Sequence, residues 1–326
     1  MIIFEDVSKT FPNGFAAVKR LSLHVKEGET LVLLGTSGSG KTTTMKMVNR
    51  LLDPTEGSIQ IYGADIMKQD PIALRRKIGY AIQDIGLFPH MTVAENIGVV
   101  PNLLSWSQDR IRSRIDELLG IVGLSPEEYR DRYPSQLSGG QRQRIGVARA
   151  LAADPPVILM DEPFGALDPI TREQLQNEFL DLESEIKKTI LFVTHDIFEA
   201  VKMADRIALL HHGQLQQVAT PSELVESPAN AFVDDFLGRH RFQLSLLTKT
   251  LQSLVGDTWT GPHPFKDPTG PTLSPRASVI DALDLFKITR SSRIGVRHRE
   301  KIIGYIEKPQ LHDIIHELLN DERAPS

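Results

Sequence analysis

Apolar runs at residues 30–34 and 157–160 are not interrupted by the polar positions that mark a half-exposed strand. Such runs are typical of strands buried on both faces of a parallel sheet. A third strand of the same sheet is predicted at residues 189–194. The carboxyl ends of strands in these sheets are where ligands bind. The pattern therefore predicts an α/β fold with a parallel sheet at its core.

Two other regions of the chain show different periodicities. Residues 1 to about 30 contain short alternating runs, such as 21–25, and predict a β-rich N-terminal region. Residues 93–146 predict a helical insert that includes an amphipathic stretch at 108–122. The parallel sheet resumes after this insert, at residue 157.

The last third of the chain predicts a separate small module. Proline and glycine recur between residues 256 and 275, which favours a loop or linker. After it the pattern predicts a capped helix, two strands and a final helix, at residues 277–286, 294–296, 302–306 and 311–319. We therefore divide the chain into a large domain, a linker and a small α+β module, at residues 1–240, 241–275 and 276–326.

Composition is that of a globular protein, with 40% hydrophobic and 24% charged residues among 326. No apolar stretch approaches the roughly 18 residues that cross a bilayer, and the N-terminus has no signal-peptide pattern. The absence of cysteine excludes disulfides and thiolate metal sites. A net charge of −5 gives no sign of a nucleic-acid footprint. We expect a cytosolic protein without a nucleic-acid partner.

Residues 35–42 match the phosphate-loop pattern G-x-x-x-x-G-K-[ST] between a predicted strand and a helix predicted at 43–52. Glycines let successive backbone N–H groups turn towards an anion, and the helix N-terminus adds partial positive charge. Lys41 is then placed to reach the β- and γ-phosphates, and the Thr42 hydroxyl to ligate Mg²⁺. Four fixed positions in this context argue against an ordinary glycine-rich turn. The loop predicts that the chain binds a nucleoside triphosphate.

The strand at 157–160 runs directly into two carboxylates, Asp161 and Glu162. Asp161 is placed to hold Mg²⁺, and Glu162 to polarise an attacking water. A strand that ends in Asp-Glu is by itself a common surface feature. Combined with the phosphate loop, it predicts a hydrolytic site.

The sequence Leu-Ser-Gly-Gly-Gln at residues 137–141 precedes that strand. With a phosphate loop before it and a hydrophobic-Asp-Glu strand after it, the chain resembles the nucleotide-binding subunits of ABC transporters. Gln83 matches the Q-loop of that family, residues 165–168 match its D-loop, and His195 matches its switch histidine. The resemblance covers residues 1 to about 236. It implies a P-loop NTPase fold with an N-terminal antiparallel β region and a helical insert, and it implies ATP and Mg²⁺ as ligands.

The resemblance also implies a role for each matched residue. Phe11 is the aromatic expected to stack on adenine, with Phe15 as the alternative. The expected catalytic residues are Lys41, Gln83, Glu162 and His195, and the expected Mg²⁺ ligands are Thr42, Gln83 and Asp161. The expected nucleotide-binding residues are Phe11, Gly35, Ser37, Gly38, Gly40, Lys41, Thr42, Thr43, Ser138, Gly139, Gly140, Gln141 and Asp168.

Ser138 and the two glycines after it precede a helix predicted to run to residue 152, so they form a second anion-binding helix N-terminus. One chain cannot readily apply two such loops to a single γ-phosphate. The resemblance implies that two subunits, identical or closely homologous, meet head to tail around ATP. Each signature sequence then completes the site of the other subunit.

Three segments, at residues 45–51, 82–90 and 164–172, look like the ATPases of quaternary-amine importers, which take up glycine betaine, choline, carnitine and related osmoprotectants. This resemblance implies separate membrane permease subunits, an extracytoplasmic solute-binding protein that acts indirectly, and a location at the cytoplasmic face of the membrane. It also predicts which residues contact the permease, namely Leu87, Phe88 and Met91. The alternative is that these three residues pack inside the helical insert.

The order of elements in residues 276–326 is similar to a CBS module, which importers of this type often carry at the C-terminus. CBS modules work as pairs, and residues 242–271 are too short and too rich in proline to supply a partner. Two interpretations remain open. The module pairs with its twin across the ATPase dimer, or it is a degenerate structural appendage.

Two alternatives to osmoprotectant import remain, namely import of another small solute and a soluble ABC-type ATPase that acts on nucleic acid or ribosomes. The second usually has two fused ATPase domains or a long coiled-coil insertion, and the sequence contains neither. A non-catalytic role would require damage to Lys41, Asp161 or Glu162, and all three are intact.

Overall fold

The computed structural model describes residues 1–81, 86–165, 167–255, 270–275, 277–298 and 301–321. The chain forms two compact units, Met1–Val218 and Ala219–Ser326. Within the described ranges, no helix is both long enough and apolar enough to cross a membrane.

The strands of the first unit form two sheets. In chain order they are β1 (Ile2–Thr10), β2 (Ala16–Val25), β3 (Thr30–Gly35), β4 (Glu56–Ile61), β5 (Ala64–Asp65), β6 (Ile78–Ala81), β7 (Val157–Asp161), β8 (Thr189–Val193), β9 (Arg206–His211) and β10 (Gln214–Ala219), the last ending at the boundary between the units. The helices of this unit are α1 (Lys41–Val48), α2 (Pro71–Arg76), α3 (Val93–Leu103), α4 (Gln108–Ile121), α5 (Pro126–Tyr129), α6 (Gly139–Leu151), α7 (Pro169–Ile186) and α8 (Ile197–Met203).

The larger sheet has the strand order β10-β9-β3-β8-β7-β6. From β9 to β6 each strand runs parallel to its neighbours, with Leu31 and Leu159 both in register with Leu191. The carboxyl ends of β3, β7 and β8 therefore lie at one edge of the sheet. The smaller sheet, in the order β2-β1-β4-β5, is antiparallel throughout. The predicted parallel core and N-terminal antiparallel region are confirmed.

The side chains of β3 alternate between the two faces of the sheet, and all of them are buried. Leu31 and Leu33 belong to a hydrophobic core shared with α1 and the smaller sheet, which contributes Phe4 and Ile59. This core explains why the apolar run at 30–34 lacks polar positions, since both faces of the strand are covered. α1 begins at Lys41 and ends at Val48, whereas residues 43–52 were the predicted span.

The helical insert contains α3 to α6. α4 is amphipathic, because its buried residues Ile111, Ile115, Leu118 and Leu119 follow helical spacing. Its bounds agree with the prediction to within one residue. α3 starts with a capping box in which Thr92 is the N-cap, an arrangement that satisfies two backbone donors at the helix end.

The second unit begins earlier than predicted. Its helices are α9 (Pro221–Glu226), α10 (Ala231–Leu237), α11 (Arg241–Thr248), α12 (Leu251–Val255), α13 (Val279–Thr289) and α14 (Lys308–Asp321). Its strands are β11 (Thr272–Leu273), β12 (Arg293–His298) and β13 (Lys301–Glu307), in the order β11-β12-β13. The strands and helices after residue 277 follow the predicted order.

The linker predicted at 241–275 is wrong for residues 241–255, which form α11 and α12. Leu246 and Leu251 from these helices are buried in one core with Val279 and Phe286. Their apolar side chains need α13 and the sheet to cover them, so residues 241–255 belong to the second unit, which begins at Ala219. Residues 256–269 of the predicted linker lie outside the described part of the chain. The CBS-like character of the module stays a prediction.

We expect Phe286→Ala to destabilise the second unit by about 3–5 kcal/mol, because a buried ring is replaced by a cavity. Ile288→Ala on the same helix is the matched control, since Ile288 is exposed, and we expect it to cost less than about 0.5 kcal/mol. Urea unfolding of the full chain measures both. Equal losses in the two variants would contradict the core that the structure places here.

Candidate functional site

The loop between β3 and α1 depends on two glycines. Gly35 and Gly40 have φ values of 152° and 100°, which residues with side chains rarely adopt. A Cβ on Gly35 would lie 2.2 Å from the carbonyl oxygen of Leu210, and one on Gly40 would lie 2.4 Å from that of Ala17. The loop is therefore packed directly against the backbones of β9 and β2. Of the other predicted loop residues, Ser37 and Gly38 are exposed and Thr43 is half-buried.

Lys41 is buried at the start of α1, and its ammonium group points back into the loop. Nζ donates hydrogen bonds to the carbonyl oxygens of Gly35 at 2.7 Å and Thr36 at 3.0 Å. Burial lowers the pKa of Lys41, and the nearby carboxylates of Glu162 and Asp161 partly offset this effect. The positive charge thus lies between the phosphate loop and the acidic end of β7.

Thr42 and Asp161 meet although they are 119 residues apart in sequence. The Thr42 hydroxyl donates to Oδ1 of Asp161 at 3.0 Å. Burial raises the pKa of Asp161, against the hydrogen bond from Thr42 and the charges of Lys46 and Lys41. A hydroxyl and a carboxylate oxygen side by side are hard oxygen ligands of the kind that Mg²⁺ prefers. These two predicted metal ligands therefore fit the ion.

Glu162 follows β7 in an unusual backbone conformation. Its φ is 45°, a left-handed value that costs a residue with a side chain on the order of 1 kcal/mol. Its backbone N–H donates to the carbonyl oxygen of Val193 at 3.0 Å, which ties the end of β7 to β8. Oε1 of Glu162 lies 3.1 Å from Nδ1 of His195. The structure thus places two of the predicted catalytic residues in contact.

The predicted signature residues cap α6. Oγ of Ser138 accepts a hydrogen bond from the backbone N–H of Gln141 at 3.2 Å, and Oε1 of Gln141 accepts one from the backbone N–H of Ser138 at 2.9 Å. Nε2 of Gln141 also donates to the Tyr129 hydroxyl at 2.9 Å. Ser138, Gly139 and Gly140 are not buried. This helix N-terminus is therefore open to a ligand that approaches from outside the chain.

Asp168 caps α7 and accepts a hydrogen bond from the backbone N–H of Thr171 at 3.1 Å. Hydrogen bonds from the side chain and backbone of Thr171 lower the pKa of Asp168. Its side chain is thus held as a carboxylate at the start of the helix. Gln83 and Ala166, in the predicted Q-loop and D-loop, lie outside the described residues.

Phe11 lies in the turn between β1 and β2, where backbone hydrogen bonds join it to Phe15 and Gly14. The ammonium group of Lys9 lies 5.7 Å from the centroid of the Phe11 ring. Phe15 is the more exposed of the two aromatic residues.

Two residues near the site were not predicted. Burial and the charge of Asp161 raise the pKa of Tyr80 on β6 to about 12. Glu199 on α8 is a buried carboxylate four positions after His195. Neither belongs to a motif, and the only sequence signal is a polar residue within a largely apolar segment.

Residues 18–165 match the protein family described as ABC transporter. The osmoprotectant import ATP-binding protein OsmV of Salmonella typhimurium is 47% identical over 313 residues, which cover 94% of this chain and 79% of that protein. The chain belongs to the ABC transporter family. The glycine betaine/carnitine/choline transport ATP-binding protein OpuCA of Bacillus subtilis is 57% identical over 241 residues, which cover 74% of this chain and 63% of that protein.

The fold agrees with this membership. A solved dimeric ATP-binding cassette, in a post-hydrolysis state with ADP and Pi, is 37% identical and aligns with a TM-score of 0.61. The match covers 68% of this chain and 98% of that one. The predicted family and fold class are confirmed. ATP and Mg²⁺, the predicted ligands, are those of ABC ATPases. The chain spans less than two thirds of the length of OpuCA.

Proposed function

We propose that this cassette hydrolyses ATP to power uptake of a quaternary-amine osmoprotectant of the glycine betaine, choline or carnitine type. One observation carries the assignment of ATP hydrolysis. Lys41 and Thr42 of the phosphate loop converge with Asp161, Glu162 and His195 from two neighbouring strands. That convergence is the arrangement that ATP hydrolysis requires.

The phosphate loop binds the nucleotide. Backbone N–H groups around Gly38 and Gly40 and the N-terminus of α1 face the phosphates, and Lys41 supplies the positive charge. Gly35, Ser37, Thr42 and Thr43 complete this surface, and Phe11 stacks on adenine. Thr42 and Asp161, with Gln83, would hold Mg²⁺, which would neutralise charge on the phosphate oxygens.

Glu162 is the general base in this proposal. Its carboxylate is placed to accept a proton from the attacking water, and His195 keeps it in position through the 3.1 Å contact at Nδ1. Because Nδ1 of His195 faces Glu162, Nε2 is the ring nitrogen left to face the γ-phosphate. Both residues are therefore assigned to catalysis.

We infer that two copies of this chain, or this chain and a close homologue, form an ATP sandwich. Ser138, Gly139, Gly140 and Gln141 then reach the nucleotide of the partner subunit, and Asp168 lies beside them at the shared interface. The open N-terminus of α6 and the dimeric state of the related cassette support this assembly.

The permease subunits and the substrate class rest on the relatives. OpuCA and OsmV are named for transport of glycine betaine, carnitine and choline and for osmoprotectant import, respectively. Phe88 is exposed, and with Leu87 and Met91 it is a candidate contact for a permease at the cytoplasmic face of the membrane. An extracytoplasmic solute-binding protein would deliver the substrate to that permease. No nucleic-acid partner is part of the proposal.

Uptake of radiolabelled glycine betaine, choline and carnitine tests the proposal. The chromosomal copy is replaced by Glu162→Gln, and a second strain carries Glu29→Gln as the matched control, since Glu29 precedes β3 at the opposite end of the sheet. We expect uptake of at least one solute to be lost only with Glu162→Gln. Unchanged uptake of all three, with ATP hydrolysis by the purified wild-type protein, would overturn the substrate class and leave the ATPase assignment in place.

A further inference from the structure

Glu199 is a carboxylate that the proposed hydrolysis does not use. Only 6% of the residue is exposed, and it lies in the first turn of α8. Its Oε1 accepts a hydrogen bond from Nε2 of Gln176 at 3.1 Å, and the Thr194 side chain forms a second hydrogen bond with the same carboxyl group. Burial raises the pKa of Glu199, and these two hydrogen bonds oppose the rise. Burying a carboxyl group costs free energy unless it is hydrogen-bonded. The two partners of Glu199 therefore indicate which segments this side chain connects.

The hydrogen bond with Thr194 connects Glu199 to the loop that carries His195. Thr194 is buried, and its backbone N–H donates to the carbonyl oxygen of Leu33 at 3.2 Å. Its hydroxyl oxygen accepts a hydrogen bond from the backbone N–H of Asp196 at 3.0 Å. The hydroxyl has a single proton to donate, and Glu199 is the side chain with which it bonds. Glu199 is therefore linked to the residues on both sides of His195, through the Thr194 hydroxyl and through its own backbone N–H, which donates to Oδ1 of Asp196 at 3.3 Å.

The hydrogen bond from Gln176 connects Glu199 to α7. Gln176 is buried on this helix, whose N-cap is Asp168. A further link runs in parallel, because Arg172 donates to the carbonyl oxygen of Leu167 at 3.1 Å and lies 3.7 Å from Asp196. The loop at 194–196 is thus attached to the helix that starts at the D-loop.

We propose that Glu199 is a positioning residue for ATP hydrolysis. By joining Thr194 to Gln176, it holds the loop of His195 against α7 and keeps the imidazole within reach of Glu162. The inference rests on the proposed ATPase function, but it assigns to Glu199 a role that none of the nucleotide-binding motifs contains.

Steady-state ATP hydrolysis by the purified full-length protein tests the role. We expect Glu199→Ala to lower kcat at least about 10-fold, because small displacements of catalytic groups are costly, with KM changed less than about twofold. Glu199→Gln keeps the length of the side chain and one acceptor oxygen, and should restore kcat to within about threefold of wild type. Glu29→Ala is the matched control. Glu29 is also 6% exposed and lies 3.1 Å from Arg206 at the opposite end of the sheet.

A double-mutant cycle with Gln176→Ala separates positioning from general destabilisation. If the two side chains act through the same link, their effects should not add. The kcat of the double variant should then be no lower than the lower of the two single-variant kcat values. Wild-type kcat in Glu199→Ala, an equal loss in Glu29→Ala, or a rise in KM alone would overturn the inference. Absence of hydrolysis in the wild-type protein would instead reject the proposed function on which it rests.

Discussion

Glu162→Gln should reduce kcat for ATP hydrolysis by about 100-fold or more, the usual contribution of a general base, and leave ATP bound. Glutamine has nearly the same shape as glutamate but cannot accept the proton of the attacking water. In the proposed site the phosphates are bound by Lys41 and the loop at 35–42, which this substitution does not alter. The nucleotide should therefore accumulate unhydrolysed between two subunits and trap a dimer.

Phosphate release gives kcat in this experiment, and size-exclusion chromatography with ATP gives the oligomeric state. Glu29→Gln makes the same chemical change in a carboxylate that accepts from the backbone N–H of Lys26 at 2.6 Å, away from the site. We expect that control to hydrolyse ATP at nearly the wild-type rate. Rapid hydrolysis by Glu162→Gln would remove Glu162 from the role of base.

Lys41→Ala should weaken ATP binding roughly 10- to 100-fold, since a hydrogen bond to a charged group contributes about 1.5–3 kcal/mol. The ammonium group lies inside the loop, 2.7 Å from the carbonyl oxygen of Gly35, and we propose it as the principal cation for the phosphates. Its loss also leaves Asp161 and Glu162 without the positive charge that lies nearest to them in this loop. Equilibrium titration with a fluorescent ATP analogue measures the change.

Lys46→Ala is the matched control for this variant. It removes the same charge from the same helix, and Lys46 acts on Asp161 only through its charge. We expect its affinity for the analogue to change less than about threefold. Unchanged affinity in Lys41→Ala would contradict the assignment of residues 35–42 to phosphate binding.

Local chemistry explains why so much of the site was predictable. The phosphate loop is a continuous segment. Glycine is required at 35 and 40 by the backbone conformation and because a Cβ there would lie only 2.2 Å and 2.4 Å from backbone carbonyl oxygens. The strands at 30–34 and 157–160 are buried on both faces, so their sequences carry no polar alternation. α4 was predictable because its apolar residues follow helical spacing.

The second unit was harder to predict, because its first helices are short. α11 and α12 contain eight and five residues, which are too few for periodicity to be distinguished from a loop. Their leucines become informative only when α13 and the sheet cover them. The place of residues 241–255 in the second unit is thus a property of the packed core and not of local composition.

The family, the nucleotide and the residue types proposed to contact it could be predicted from the sequence, since motifs of this kind are local and depend on backbone chemistry. The tertiary fold determines which of these residues touch. The strand order β3-β8-β7 places Thr42 against Asp161 and Glu162 against His195, and no periodicity encodes that order. It also decided that a buried carboxylate, Glu199, ties the loop of His195 to α7. Contacts between distant segments follow from how apolar surfaces are buried together, and only the folded chain brings them into reach.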